Sequence, residues 1–250
     1  MLPELNTLLK ELHLPMIRSS YKDVANTAES NQYSYEQYLQ ELAVLEYDER
    51  SNKRIERMIR ESHLPAGKTL NSFNRDRLPV KIRMQVNSLL EGSFTDRREN
   101  ILIFGNPGAG KSHLLCAIGY HLISQNKRVI FYNSNILVQE LLQAKQELKL
   151  PGLLKRLSRF NAIIIDDIGY IQQTREEMEV LFTLLADCYE RTSVMLTSNL
   201  AFSEWEKIFK DPMTTAAVID RLVHHSIILE LNVPSYRLET AKKKKQKSEL

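Results

Sequence analysis

Five short apolar runs constrain the fold of this 250-residue chain more than any other feature: ILIFG (101–105), RVIFY (128–132), AIIIDD (162–167), SVMLTSN (193–199) and SIILEL (226–231). Each is short and rich in β-branched residues, with apolar side chains at odd and even positions alike. Such strands must be covered on both faces, and the amphipathic stretches between them are long enough to be crossover helices. Helices are expected near 111–125, 135–149, 176–191 and 214–224. The expected fold class is α/β, built on a parallel sheet.

Residues 1–64 read differently. Leu5, Leu8, Leu9 and Leu12 fall at i, i+3, i+4 and i+7, and Tyr35, Tyr38, Leu39, Leu42 and Leu45 repeat the helical spacing after Ser34, a plausible N-cap. The expected organisation is a helical N-terminal DNA- or partner-interaction domain at 1–66, a linker and lead-in helix at 67–98, the α/β domain at 99–238 and a basic disordered tail at 239–250. Charge is segregated along the chain. Residues 1–49 carry 3 Lys/Arg against 9 Asp/Glu (net −6), and residues 50–98 carry 12 against 5 (net +7). Clustered positive charge suits a polyanion, because neutralised phosphates release counterions.

Several classes are disfavoured. No apolar run approaches the ~20 residues of a membrane helix, and the N-terminus lacks the basic and apolar regions of a leader peptide. A cytoplasmic protein without a membrane partner is expected. Cys116 and Cys188 sit in apolar helical patterns and read as buried thiols in a reducing compartment. His224 and His225 are adjacent, and neighbours in sequence do not share a helix face, so a zinc site is not expected there.

Residues Gly105, Asn106, Pro107, Gly108, Ala109, Gly110, Lys111 and Ser112 match G-x-x-x-x-G-K-[ST] in full, with His113 following. The motif follows a predicted strand and opens a predicted helix, as a phosphate-binding loop must. Glycines let successive N–H groups converge on phosphate oxygens, and the helix N-terminus adds its dipole. ATP is the expected ligand: Lys111 would reach its β- and γ-phosphates, and Ser112 would ligate Mg²⁺. Asp166 and Asp167 emerge at the C-terminal edge of the strand at 162–167, where α/β sheets bind ligands. Asp166 is placed to hold Mg²⁺, and Asp167 to orient or deprotonate the attacking water. Asn199, at the end of the next strand, could bind that water or sense the γ-phosphate.

GNPGAGKSHL, AIIIDDIGY, MLTSNLAFSEW, IDRLVHHSIILEL and SYR together resemble the IstB-like AAA+ proteins, helper ATPases of insertion-sequence transposition related to DnaC-type helicase loaders and to DnaA. The resemblance runs from about Leu2 to Arg237. It implies an AAA+ P-loop NTPase domain preceded by a small all-α domain, and slow ATP hydrolysis stimulated by assembly. It also implies homo-oligomers on duplex DNA and recruitment of a transposase. Arg221 matches the arginine finger that reaches a neighbouring subunit's ATP, and Arg237 the sensor-2 arginine, although Asn232-Val233-Pro234 replace the expected Gly-Glu pair. Many AAA+ enzymes carry Glu where this chain has Asp167, so hydrolysis should be slow. DNA contacts are expected from Lys145, Lys149, Lys155 and Arg156 in one segment and from Lys53, Arg54 and Arg57 in the basic helix. A DnaC-like replicative helicase loader is the alternative reading. A small-molecule P-loop kinase would have no use for Asn199 and Arg221.

Overall fold

The computed structural model describes residues 4–169, 174–209, 211–236 and 239. The chain divides into two compact units, Met1–Arg57 and Met58–Leu250.

The first unit holds α1 (Leu5–Glu11), α2 (Pro15–Ser30) and most of α3 (Tyr35–Glu61). Its buried apolar side chains are few: Leu9, Val24 and Leu42. A carboxylate supplements them. The N-cap position of α2 is Leu14, which has no side chain able to cap. Glu46 of α3 supplies the missing acceptor, taking the N–H groups of Met16 at 2.9 Å and Ile17 at 3.3 Å. A carboxylate there meets both orphan donors and the positive end of the helix dipole. Burial pushes the Glu46 carboxyl up. The bond from Arg50 and the two backbone N–H groups outweigh that and hold it below the usual range.

The second unit contains α4 (Val80–Leu90), β1 (Asn100–Gly105), α5 (Lys111–Ser124), β2 (Val129–Asn133), α6 (Ser134–Gln146), α7 (Leu150–Leu157), β3 (Ala162–Ile168), α8 (Arg175–Cys188), β4 (Ser193–Ser198), α9 (Glu206–Phe209), α10 (Pro212–Val223) and β5 (Ser226–Leu231). The five strands form one parallel sheet in the order β2-β3-β4-β1-β5. Alternation along the strands divides the core. Leu102, Phe104, Ile163, Ile165, Val194 and Leu196 face α6, α8 and α10. The intervening residues face the other way, where α5 lies so close to Ile164 that Gly119 has no room for a side chain.

The helix predicted at 135–149 ends three residues early, and a second helix outside the predicted range follows it. Helix α6 stops at Gln146, Leu148 adopts a left-handed φ of 57° with 90% of its surface exposed, and α7 begins with Pro151 in its first turn. Proline lacks the N–H that a continuous helix requires there, so a single helix cannot run on through residue 151 without losing a bond. Residues 62–65, which the sequence pattern groups with the N-terminal helices, pack in the second unit: the Phe131 N–H donates to Ser62 O, and the Tyr120 hydroxyl to Leu64 O.

Candidate nucleotide site

The loop at 105–112 lies at the C-terminal edge of the sheet, between β1 and α5. Its shape depends on glycine at two positions above all. Gly105 has φ 147°, and a Cβ there would lie 2.5 Å from Leu231 O on the neighbouring strand; Gly110 caps α5 at φ 98° under the Phe73 ring. A side chain at Gly105 would have to displace backbone, and one at Gly110 would be strained by its positive φ and crowd the Phe73 ring. The Lys111 ammonium is buried, donating to Gly105 O at 2.7 Å, Asn106 O at 3.2 Å and Asn199 Oδ1 at 2.5 Å.

Of the acidic pair, Asp167 is linked to this ammonium through Asn199. Asp166 and Asp167 end the regular part of β3, where the register with β4 shifts between Ile165 and Ile168. Asp167 takes φ 67°, a left-handed conformation uncommon for a residue with a side chain. A bulge of this kind re-aims side chains beside functional sites. Here it turns Asp167 toward Asn199, whose Nδ2 donates to Asp167 Oδ1 at 3.2 Å. Lys111, Asn199 and Asp167 therefore form a connected chain, with Asn199 presenting its oxygen to the cation and its nitrogen to the carboxylate.

Thr197 ties the two acids together. Its hydroxyl donates to Asp166 Oδ1 at 2.7 Å and accepts the Asp167 N–H at 2.7 Å, and its side chain is wholly buried. The Ser134 hydroxyl donates to Asp167 O at 2.9 Å. Sequence reasoning marked Thr197 only as part of a strand end. The signal was available in its position, since a hydroxyl within an apolar strand two residues before Asn199 needs a buried partner.

Residues 68–78, read from sequence as linker, form a wall of the site. A cavity of about 260 Å³ beside the loop is lined by Lys68, Phe73, Arg77, Gly108, Lys111 and Tyr236, among others. Arg77 lies over the Tyr236 ring at 5.1 Å and donates to Pro234 O at 2.8 Å, while the Tyr236 N–H donates to Gly108 O. His113 turns to this wall, its Nε2 3.1 Å from both Thr69 O and Ser72 Oγ. Irregular backbone carries neither helical nor strand periodicity, so this wall left no pattern to read. Arg237 and the lysine-rich stretch at 242–247 lie outside the described residues.

Cys116, in α5, is fully buried, and burial pushes its thiol up to about 12; the same cause takes Cys188 to about 12. Both thiols are neutral packing groups. Among the described residues no helix is long and apolar enough to cross a membrane.

Arg221 is elsewhere. Strand β5 pairs with β1 from Asn100↔Ser226 to Gly105↔Leu231. The last turn of α10, which carries Arg221, therefore approaches the sheet edge opposite the phosphate loop, five strand steps or roughly 16 Å away. Its guanidinium lies 5.0 Å over the Phe182 ring and donates to Ala217 O. The proposed DNA-contacting cations meet carboxylates: Lys145 bonds Glu179, Lys149 Glu147, Arg156 Glu140 and Lys53 Glu49. Lys155 and Arg57 are exposed.

A parallel sheet in this order with a complete G-x-x-x-x-G-K-S loop, an acidic strand end and a polar neighbouring strand end defines a P-loop nucleotide-binding protein of the AAA+ class. The chain belongs to the IstB-like ATP binding protein family, which matches residues 7–246. Over 243 residues it is 42% identical to a putative insertion sequence ATP-binding protein of Sinorhizobium fredii, covering 97% of this chain and 82% of that one. It is 36% identical to the IS5376 putative ATP-binding protein of Geobacillus stearothermophilus, covering 94% of each. It is 34% identical to the IS21 putative ATP-binding protein of Pseudomonas aeruginosa, covering 96% and 91%. Among solved structures the fold is similar to AMPPCP-bound DnaA of Aquifex aeolicus, at a TM-score of 0.57 and 18% identity over 74% of this chain and 56% of that one. It is also similar to a DnaC helicase loader, at 0.52 and 17% over 66% and 97%.

Proposed function

We propose that this protein is an ATP-hydrolysing helper of insertion-sequence transposition that assembles on duplex DNA in the cytoplasm and recruits or activates a transposase. The observation that carries the catalytic part is the Lys111–Asn199–Asp167 chain at the phosphate loop, with Thr197 holding Asp166 and Asp167. The named relatives, all ATP-binding proteins of insertion sequences, support the biological part.

In this reading loop N–H groups and Lys111 hold the triphosphate, and Ser112 and Asp166 hold Mg²⁺. The residues fit that ion: Asp166 is a buried carboxylate oriented by Thr197, beside the helix that begins with Lys111 and Ser112. Bound there, Mg²⁺ would neutralise charge on the β- and γ-oxygens. Asn199 positions a water, and Asp167 takes its proton as the water oxygen bonds to the γ-phosphorus. The bond to the β–γ bridging oxygen breaks and ADP departs, its new charge met by Lys111. Arg221 acts on the ATP of an adjacent copy, as its position across the sheet from its own loop favours.

DNA is held through phosphates by Lys145, Lys149, Lys155 and Arg156 after β2, and separately by Lys53, Arg54 and Arg57. Exposed ion pairs contribute only ~0–1 kcal/mol, so Lys145, Lys149, Arg156 and Lys53 can exchange a carboxylate for a phosphate at small cost.

Electron microscopy of the full chain with duplex DNA, Mg²⁺ and a slowly hydrolysed ATP analogue tests the reading. Multisubunit assemblies that need both DNA and nucleotide are the expected outcome. A chain that stays monomeric under those conditions overturns it. Stable capture of a hexameric replicative helicase, with no response to transposase, would assign the protein to helicase loading instead.

A further inference from the structure

The histidine pair dismissed on sequence grounds is placed differently by the fold. His224 and His225 do not sit within a helix: α10 ends at Val223, and the two residues form the turn into β5. His224 keeps helical backbone angles as the C-cap of α10 and His225 follows it in the turn, and their rings lie 4.1 Å apart, edge to face. Glu190, from the turn between α8 and β4, comes to the same place. One donor atom from each of Glu190, His224 and His225 lies within 4.8 Å of the others, and all three side chains are exposed.

The backbone beneath them is fixed. Asn100, buried at the start of β1, brackets both turns: its Nδ2 donates to Leu222 O at 3.0 Å, its Oδ1 accepts the Val194 N–H at 2.9 Å, and its own N–H donates to His225 O at 2.7 Å. Glu190 is held at φ 57° in the turn. A left-handed conformation at a residue with a side chain persists only where the surroundings impose it. The Tyr189 hydroxyl lies 3.1 Å from His224 Nδ1. A hydrogen-bond partner at one ring nitrogen is the arrangement that orients metal-ligating histidines.

We propose that Glu190, His224 and His225 form a site for one divalent ion of the zinc class (Zn²⁺, Co²⁺ or Ni²⁺), with water completing the coordination. Two imidazoles and a carboxylate suit borderline divalent metals rather than Mg²⁺, which prefers oxygen alone. A tetrahedral ion with bonds of ~2.0–2.1 Å needs donors ~3.3 Å apart, which exposed side chains reach by small rotations about their own bonds. The ion would pin the α8–β4 turn to the α10–β5 turn, three residues from Arg221. The site is separate from the nucleotide chemistry and does not depend on it.

Titration of Co²⁺ into the untagged full-length protein, followed by visible absorption and calorimetry, tests the assignment. One ion per chain with micromolar affinity is expected, displaced by Zn²⁺ but not by Mg²⁺. His225→Asn and the near-isosteric Glu190→Gln should each weaken binding about 100-fold, and Tyr189→Phe about tenfold. His121→Asn should leave binding unchanged. Nucleotide affinity, measured in parallel, reports that each variant is folded. Absence of saturable binding, or binding that survives both His225→Asn and Glu190→Gln in folded protein, overturns the proposal.

Discussion

The two edges of the central sheet are built on the same plan and finished differently. At the C-terminal edge Thr197 links its neighbours with buried hydrogen bonds, and of the groups it orders, Asp167 connects through Asn199 to a cation of the same chain. At the N-terminal edge Asn100 links its neighbours just as tightly, but the groups it underlies, His224 and His225, are exposed, and Arg221 is half-exposed on the helix that precedes them. The first edge closes its network within the chain. The second presents ordered donors outward. A buried polar residue that bonds two or three backbone groups sets the geometry in both cases, and what it supports decides whether the edge binds a ligand alone or offers itself to something else.

The sharpest way to break this contrast is Arg221→Ala. If the outward edge serves a neighbouring active site, turnover on DNA should fall by about 10³-fold while nucleotide affinity stays near normal. Mixing Arg221→Ala with Asp167→Asn should then recover activity, because each assembly contains sites with an intact base beside an intact finger. A mixture as inactive as its components would mean that Arg221 does not act on a neighbouring copy's site.

Asn100→Ala attacks the bracket itself. It leaves the Val194 N–H and Leu222 O without their partner in a dry environment, a loss of about 2–4 kcal/mol. Thermal unfolding should shift down by roughly 5–12 °C, and assembly on DNA should weaken more than nucleotide binding. Loss of nucleotide affinity with assembly spared would contradict the division between the edges. Thr197→Val is the counterpart at the other edge. It keeps the shape, removes both bonds to the acidic pair, and should slow hydrolysis about 10–100-fold with assembly by an ATP analogue retained.

Much of the inward edge was legible in sequence because periodicity and motif spacing report it directly. Short runs apolar on both faces located the five described strands within a residue or so, and the glycine-lysine-serine spacing located the loop. The missed parts share a physical cause. The helix break at Leu148 came from a local conflict that Pro151 imposes on a segment whose apolar spacing runs on. The wall at residues 68–78 is irregular backbone, ordered by contacts with residues far along the chain such as Pro234 and Tyr236. The histidine pair was read with helical spacing, whereas the turn into β5 begins at these residues.

Asp167→Glu probes the smallest distinction, one methylene at the inward edge. Asp167 reaches Asn199 only because the β3 bulge and a left-handed φ of 67° carry its backbone toward the loop. The shorter acid is thus brought forward by the main chain. Two outcomes separate cleanly. If the carboxylate of the native residue still falls short of the water in an unassembled chain, the longer side chain should raise basal turnover about tenfold, worth ~1.4 kcal/mol of barrier, and DNA stimulation should shrink by a similar factor. If the bulge already sets the correct reach, glutamate will overshoot, basal turnover will stay level or fall, and slow hydrolysis must then originate in the missing neighbour's arginine. Single-turnover rates with and without DNA distinguish the two, and the second result would shift the control of hydrolysis wholly to the outward edge.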